Sequence, residues 1–445
     1  MKTNSILFTL FSVLIVTALT LTACAPAAQP TAIANPTQPN VVQPTTAVGE
    51  PTTVSKTNET VTVTFWHSMS NPETDQLAKV IAAFEAANPG IKIEATRYPS
   101  DNDSLKKQFL TASTTNSFPD VARMDIVWVS QYANDGVLLQ LDGNLPGFDD
   151  IAKSVFPGPL STNFYKGHYY GLPYDTNTQV LLWNKAMFDA AGIKEAPKTI
   201  SEFADVACKL SDKSKEQYGF AEGGTYFWAP APLFYAMGGK ITDDQITAAD
   251  GYINGKESVA IFTTLKDLYD KGCLSPNIMG GGIGTEAGIA TGKYAMIIDG
   301  PWMVNMFKAD YPGFEAQYTL VPTGQDGKTS SVVGGEDVVI FNSTKNKDAA
   351  MKWVTYLVSP EAQKMMAEVG VMPVLSGLQG DPALPSYFNI FMEQLKTAQA
   401  RLPVPAWQQI DDAISHAYQR ILRGDQPVQQ SLDQAAKEID TLLNQ

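Results

Sequence analysis

Val61-Thr62-Val63-Thr64-Phe65-Trp66-His67, a helical stretch from Pro72, and then Asn88-Pro89-Gly90-Ile91-Lys92-Ile93 together decide the fold of this 445-residue chain. Val61, Val63 and Phe65 alternate with Thr62 and Thr64, the period of a strand with one buried face. Pro72 suits the first turn of a helix, and Leu77, Val80, Ile81 and Phe84 recur on one helical face. Asn88-Pro89-Gly90 ends that helix, and Ile91, Ile93 and Ala95 make a second strand. The unit is β-α-β. A helix from about Leu105 to Ser113 and a strand around Val121 extend it.

Strands alternating with helices imply a mainly parallel sheet flanked by helices on both faces. Sites in such sheets lie beyond the carboxyl ends of the strands, which puts Trp66, His67, Ser68, Arg123 and Asp125 on one rim. After Gly171-Leu172-Pro173-Tyr174-Asp175 a new strand, Val180 to Trp183, starts a second set of elements. Helical faces follow at Phe203, Val206, Ala207 and Leu210, and at Ile261, Leu265 and Leu268. Tyr294 to Ile298 and Val338 to Phe341 read as strands. The last helices cover about Trp407 to Leu422 and Ser431 to Leu443. Residues 60–445 are too many for one compact core, so the chain is expected to form two lobes.

Upstream, an apolar run from about Ile6 closes on Leu21-Thr22-Ala23-Cys24 behind Lys2. Small residues leading into a cysteine resemble the lipobox of exported bacterial lipoproteins, so residues 1–23 are expected to be a signal peptide and Cys24 an acylated N-terminus. A transmembrane anchor is the competing explanation, but the run is short for the ~20 residues a span needs. Residues 24–59 are mostly Ala, Pro, Thr, Gln and Val with almost no charge. They cannot bury enough apolar surface to offset their ordering entropy and are expected to be a flexible stalk.

The formal net charge of −14 argues against nucleic acid or anionic lipid as a partner. Cys208 and Cys273 remain once Cys24 is set aside. In an oxidising compartment they either pair or serve as two small buried hydrophobes. Catalytic signals are thin: no G-x-S-x-G elbow and no H-E-x-x-H occur, and His67, His168 and His416 lie far apart. No cofactor or metal is implied. Gly282-Ile283-Gly284 begins a G-x-G-x-x-A string, but it follows a proline-containing loop and reads as a flexible turn.

Aromatic residues beside glycine and proline turns carry more information. Tyr226, Phe227 and Trp228 follow Gly223-Gly224; Trp302 follows Gly300-Pro301; Trp407 follows Pro403-Val404-Pro405. Such loops belong at the surface, where flat apolar faces flanked by carboxylate, amide and guanidinium groups suit a sugar.

Taken in order, these stretches resemble the family of extracellular solute-binding proteins serving ABC importers, the branch with maltose- and glycerol-phosphate-binding members. The matching segments include Phe84-Glu85-Ala86-Ala87-Asn88-Pro89-Gly90, Phe118-Pro119-Asp120-Val121, Gly171 to Asp175, Trp183-Asn184-Lys185, Gly292 to Trp302 and Val333-Gly334-Gly335. The resemblance implies a two-lobed α/β periplasmic-binding-protein-like fold of type II with a three-segment hinge. It divides the chain into residues 60–173 and 334–373 for the first lobe and 174–333 and 374–445 for the second. Crossings are then expected near Pro173-Tyr174, Gly334-Gly335 and Met372-Pro373.

Carried over by position, one wall of the cleft is Trp66, His67, Ser68, Arg123, Asp125 and Trp128. The other is Tyr226, Trp228, Trp302, Arg401 and Trp407, with Tyr174, Gly334, Gly335 and Glu336 at the hinge. On this resemblance Trp228, Trp302 and Trp407 stack on pyranose faces, Asp125 and Glu336 accept from hydroxyls, and Arg401 and His67 donate. The implied protein is a monomeric receptor that captures a di- or oligosaccharide and meets membrane permease subunits while held to the membrane by its lipid. Phe65-Trp66-His67-Ser68-Met69 also occurs in glycerol-phosphate binders, so glycerol 3-phosphate or a glycerophosphodiester is the alternative ligand. A secreted carbohydrate-active enzyme and a scaffolding lipoprotein are the other classes.

Overall fold

The computed structural model describes residues 60–99 and 102–444. The signal peptide, Cys24 and the stalk lie outside the described residues. The strands are β1 (Val61–His67), β2 (Ile91–Arg97), β3 (Val121–Asp125), β4 (Phe164–Tyr165), β5 (His168–Tyr169), β6 (Gly171–Asn177) and β7 (Val180–Trp183). They continue with β8 (Tyr218–Ala221), β9 (Tyr294–Asp299), β10 (Gln317–Thr319), β11 (Ser331–Val332), β12 (Gly334–Ile340) and β13 (Ala398–Gln399).

Two sheets organise the molecule. The first has the order β2-β1-β3-β12-β6 and the second β10-β7-β9-β8. The opening β-α-β unit forms as its sequence dictates. β1 pairs in parallel with β2 and β3, and the helix Asn71–Ala87 between them buries Leu77, Val80 and Phe84. Glu73 accepts a hydrogen bond from the Ser70 backbone N–H at 2.8 Å and so ties off the helix start. Trp353, fully buried, closes this core edge-on against Phe65 and Phe84.

The sheets are mixed, which corrects the expectation of mainly parallel pairing. β12 runs antiparallel to both β3 and β6, and β7 runs antiparallel to β9 and β10. β12 returns from the second sheet and β7 leaves the first. A strand that arrives across the molecule enters its sheet from the opposite end to strands delivered by local β-α-β crossovers.

The first and third crossings fall later than the sequence implied, while the second, between β11 and β12, comes at Val333, just before the expected Gly334-Gly335. β6 continues through Pro173-Tyr174 to Asn177, so the chain leaves the first sheet at Thr178-Gln179. Thr178 Oγ1 donates to the Val332 carbonyl at 2.7 Å, and Ser331 Oγ donates to the Gln179 carbonyl at 2.8 Å, which ties the first two crossings side by side. Beyond Met372-Pro373 the chain still belongs with the first lobe. The Phe156 N–H donates to the Val374 carbonyl, and Val155 bridges Leu375. Further on, the helix Phe388–Leu395 packs with the second lobe, where Gln394 Oε1 accepts from the Val321 N–H at 2.8 Å.

The second lobe has its own aromatic core, with Phe188, Phe203, Phe220, Phe227, Phe234 and Tyr418 buried. Cys208, on the helix Ile200–Lys209, is disulfide-bonded to Cys273, just past the helix Lys256–Lys271. This decides between the two fates the sequence left open. Gly282-Ile283-Gly284 is a loop, with the Ile283 N–H donating to the Tyr294 hydroxyl.

Candidate functional site

A cleft of about 360 Å³ opens where β3 and β12 of the first lobe face loops of the second. That is within the range of roughly 300–1,000 Å³ typical of small-molecule sites. β3 and β12 are adjacent strands with Asp125 opposite Glu336, so both carboxylates emerge at one level. From the other side come Tyr226, Trp228, Trp302, Arg401 and Trp407. Trp228 and Trp302 stand with ring centroids 6.3 Å apart and planes inclined by 32°. The Arg401 guanidinium lies 5.3 Å over the Trp228 ring, and its Nη2 reaches across the cleft to within 3.8 Å of Asp125 Oδ1. Arg401 Nε is buried without a hydrogen-bond partner.

The tryptophans are placed by glycines. A Cβ at Gly300 would sit 2.1 Å from the Trp302 ring, so the ring folds back over its own turn. A Cβ at Gly334 would meet Asn177 Oδ1 at 2.2 Å and the Trp228 ring at 2.6 Å. Gly334→Ala is therefore expected to push Trp228 off β12 and to cost about 1–3 kcal/mol by overpacking. Near-UV circular dichroism and urea unfolding would show this. An unchanged tryptophan spectrum would refute the close approach.

Asp299, at the end of β9, accepts from the Gly300 N–H at 2.8 Å. Burial pushes its carboxyl up to about 7, against the pull of hydrogen bonds from Gly300 and the Trp302 side chain. Burial likewise raises Asp411, although its Oδ1 accepts from the Phe227 N–H at 2.6 Å.

The cleft floor is a buried ion network. Arg123 donates through Nε and Nη2 to Asp175 Oδ2 at 3.1 and 2.8 Å, and its Nη2 also lies 2.8 Å from Glu336 Oε2. Burial raises Glu336, Arg123 opposes this, and the neighbouring Asp175 adds to the rise.

The structure brings Asp125, Trp128, Tyr226, Trp228, Trp302, Gly334, Gly335, Glu336, Arg401 and Trp407 to one cleft. Ser68 and Arg123 line an adjoining cavity instead. Two expected wall residues, Trp66 and His67, and the expected hinge residue Tyr174 line neither cavity. His67 is 1% exposed, stacks on Phe65, and accepts from the Met69 N–H through Nδ1 at 3.3 Å. Burial, with Arg123 and Arg97 nearby, drives its pKa down to about 4, so it stays a neutral core imidazole. Trp66 points to the opposite face of β1, where it packs on Tyr98 and Phe109. Tyr174 is buried beneath Arg123, 5.6 Å from its guanidinium, and its hydroxyl has no partner.

Trp407 needs a smaller correction: it borders the cleft but is only 3% exposed, so it is a wall and offers no free ring face. Glu336 is paired with Arg123 at 2.8 Å, while Asp125 lies 3.8 Å from Arg401 and accepts from the Val127 N–H at 3.1 Å.

Sequence reading missed Lys106, Asn177, Gln408 and Asp411. Asp411 stands one helical turn after Trp407 on the helix Trp407–Arg423, so i,i+4 spacing from the tryptophan was the available signal. Among the described residues no group of three or more His, Cys, Asp or Glu side chains could hold a metal ion.

Two α/β lobes over a ligand-sized cleft, joined by crossing segments, define the architecture of a solute receptor. The chain belongs to the bacterial extracellular solute-binding protein family, whose sequence profile matches residues 70–364. The family consists of non-enzymatic transport receptors.

The chain is 28% identical over 329 residues to the maltotriose-binding protein of Pyrococcus abyssi, covering 72% of this chain and 68% of that protein. It is 26% identical over 368 residues to the galactooligosaccharide-binding protein of Bacillus subtilis, covering 80% and 84%. The crystal structure of an ABC transporter solute-binding protein from Thermotoga lettingae, bound with alpha-D-tagatose, superposes with a TM-score of 0.72 at 29% identity. That match spans 86% of this chain and all of the other.

Proposed function

We propose that this protein is the capture component of an ABC importer, taking a neutral di- or oligosaccharide between its lobes and presenting it to membrane permease subunits. Export and acylation at Cys24 would keep it at the membrane on its stalk. The observation that carries the ligand class is the Trp228–Trp302 pair, flanked by Arg401, Asp125 and Asp411 in one cleft. Aromatic faces take the C–H faces of a pyranose, and the charged groups around them hydrogen-bond hydroxyls. The relatives that bind maltotriose and galactooligosaccharide favour the same class.

A phosphoryl ligand fits less well. Asp125, Glu336 and Asp411 line the cleft against Arg401 and Lys106, and Arg401 already faces Asp125. Capture needs no chemistry: a sugar touching both walls binds the closed arrangement better and shifts the population toward it.

Titration calorimetry of the native protein with maltose, maltotriose, lactose and glycerol 3-phosphate tests this. A saccharide is expected to bind unchanged and to alter tryptophan fluorescence. Trp228→Ala is expected to weaken that ligand by about 2 kcal/mol, some thirtyfold in Kd. Binding of glycerol 3-phosphate alone would overturn the sugar assignment.

A further inference from the structure

The strand β8 is an edge of the second sheet, paired in parallel with β9. Its other edge is covered by the segment that follows the helix Lys256–Lys271. The Phe220 N–H donates to the Cys273 carbonyl at 3.0 Å, and the Ser275 N–H donates to the Phe220 carbonyl at 2.9 Å. Asn277 Nδ2 extends the tie by donating to the Glu222 carbonyl at 2.7 Å. The end of the helix Ile200–Lys209 lies across the strand. Ser211 Oγ accepts from the Gly219 N–H at 2.8 Å, and a Cβ at Gly219 would sit 1.8 Å from the Ala207 carbonyl oxygen. The Cys208–Cys273 disulfide joins these two flanking pieces, so β8 is held between segments that are covalently bonded to each other.

β8 runs directly into residues 222–228, which carry Tyr226 and Trp228 to the cleft. The two aromatics are anchored differently. Trp228 is fixed from beyond the loop, its carbonyl accepting from Gln179 Nε2 at 2.6 Å and its ring resting against Gly334. Thr225 and Phe227 are tied to the helix Trp407–Arg423 through Ser415 Oγ and Asp411 Oδ1. The Tyr226 ring, on a residue that is 47% exposed, folds back over the start of the loop instead. A Cβ at Gly224 would lie 3.0 Å from that ring, and one at Gly223 3.5 Å from its hydroxyl. Two glycines have no side chains with which to anchor themselves, so the platform under Tyr226 takes its position from Glu222 and β8.

We propose that the Cys208–Cys273 disulfide is a positioning clasp for the ligand cleft: it holds β8 and the Gly223-Gly224 platform under Tyr226, so that sugar affinity depends on the bond being closed. This rests on the carbohydrate reading above. A disulfide that acts only by constraining the unfolded chain leaves the native state as it was. A clasp alters the native state itself, and the two roles separate in a binding measurement.

The test applies hydrogen exchange by mass spectrometry, and calorimetry with maltose, maltotriose and lactose, to the disulfide-bonded protein and to two opened forms. One is the same protein reduced by a water-soluble phosphine, which gives two electrons to the S–S bond and leaves two thiols and a phosphine oxide. The other is the double variant Cys208→Ser, Cys273→Ser. In both opened forms residues 218–225 are expected to exchange about tenfold faster, with the helix Val428–Leu443 unchanged. Sugar affinity is expected to fall about fivefold, and reoxidation of the reduced protein restores it. In a Tyr226→Ala background, opening the bond is expected to cost no further affinity. Unchanged exchange at residues 218–225, exchange raised evenly over the second lobe, unchanged affinity, an equal affinity loss in the Tyr226→Ala background, or unfolding of both opened forms overturns the clasp and leaves the receptor intact. Absence of saccharide binding by the disulfide-bonded protein overturns the carbohydrate reading and the affinity half of the proposal with it, and exchange alone then decides whether the bond holds β8.

Discussion

Arg123→Met is expected to destabilise the protein by about 3–5 kcal/mol, as seen by urea unfolding at neutral pH, because it strands two carboxylates around a buried site. Arg123 and Asp175 are both buried, and Glu336 is only partly open to solvent. Removing the guanidinium leaves Asp175 and Glu336 facing each other on paired strands with no countercharge. The double variant Arg123→Met, Asp175→Leu is expected to recover part of the loss, since an apolar pair needs no desolvation of charge. A loss below about 1 kcal/mol in the single variant would show that the network contributes no more than a surface pair.

The network also has a mechanical consequence. Arg123 sits on β3, while Asp175 and Glu336 sit on β6 and β12, the strands that lead to and from the second lobe. The ion pairs therefore hold the crossing strands against the first sheet. Arg123→Met is expected to loosen the cleft floor as well as the core.

Glu222→Gln has the second large effect, and its sign depends on pH. Glu222 is 3% exposed, accepts from the Tyr418 hydroxyl at 2.9 Å through Oε2, and leaves Oε1 buried with no partner. Burial pushes its carboxyl up to about 8, with the Tyr418 hydrogen bond pulling the other way. A carboxyl raised in the folded state binds a proton on folding. Its contribution is fully present below the ordinary value near 4.5 and is lost as pH rises through about 8.

Glutamine cannot ionise and escapes that loss. The variant is expected to match the native protein near pH 5 and to exceed its stability by up to roughly 4 kcal/mol near pH 9. Asp299 and His67 also titrate with shifted values, but they are present in both proteins, so the difference between the two melting curves isolates Glu222. Parallel Tm profiles across pH 5–9 would rule out a neutral Glu222.

The β-α-β opening was legible because everything that makes it is local. Alternation in Val61 to Phe65, the helical face through Leu77, Val80 and Phe84, and the Asn88-Pro89-Gly90 stop act within a few residues of themselves. Turn chemistry likewise marked Trp228 and Trp302, since glycine and proline beside an aromatic place it at a surface loop. The site failures have one cause. Trp66 and His67 share a strand end, and proximity in sequence could not say that neither faces the cleft. A strand sends neighbours to opposite faces, and which face opens onto solvent depends on what packs against it from far away.

The amino-acid sequence by itself therefore determined the kind of secondary structure, the need for two lobes and the aromatic turns that a ligand could meet. All three follow from short-range periodicity, chain length and backbone preference. Only the tertiary structure decided that β6 runs on to Asn177 and that Cys208 pairs with Cys273. It alone paired Arg123 with Asp175 and Glu336, and put Trp302 in the lining of both adjoining cavities. These outcomes join residues from tens to hundreds of positions apart, and the energies that select them, burial of charge and exclusion of a Cβ, exist only once the distant partners have met.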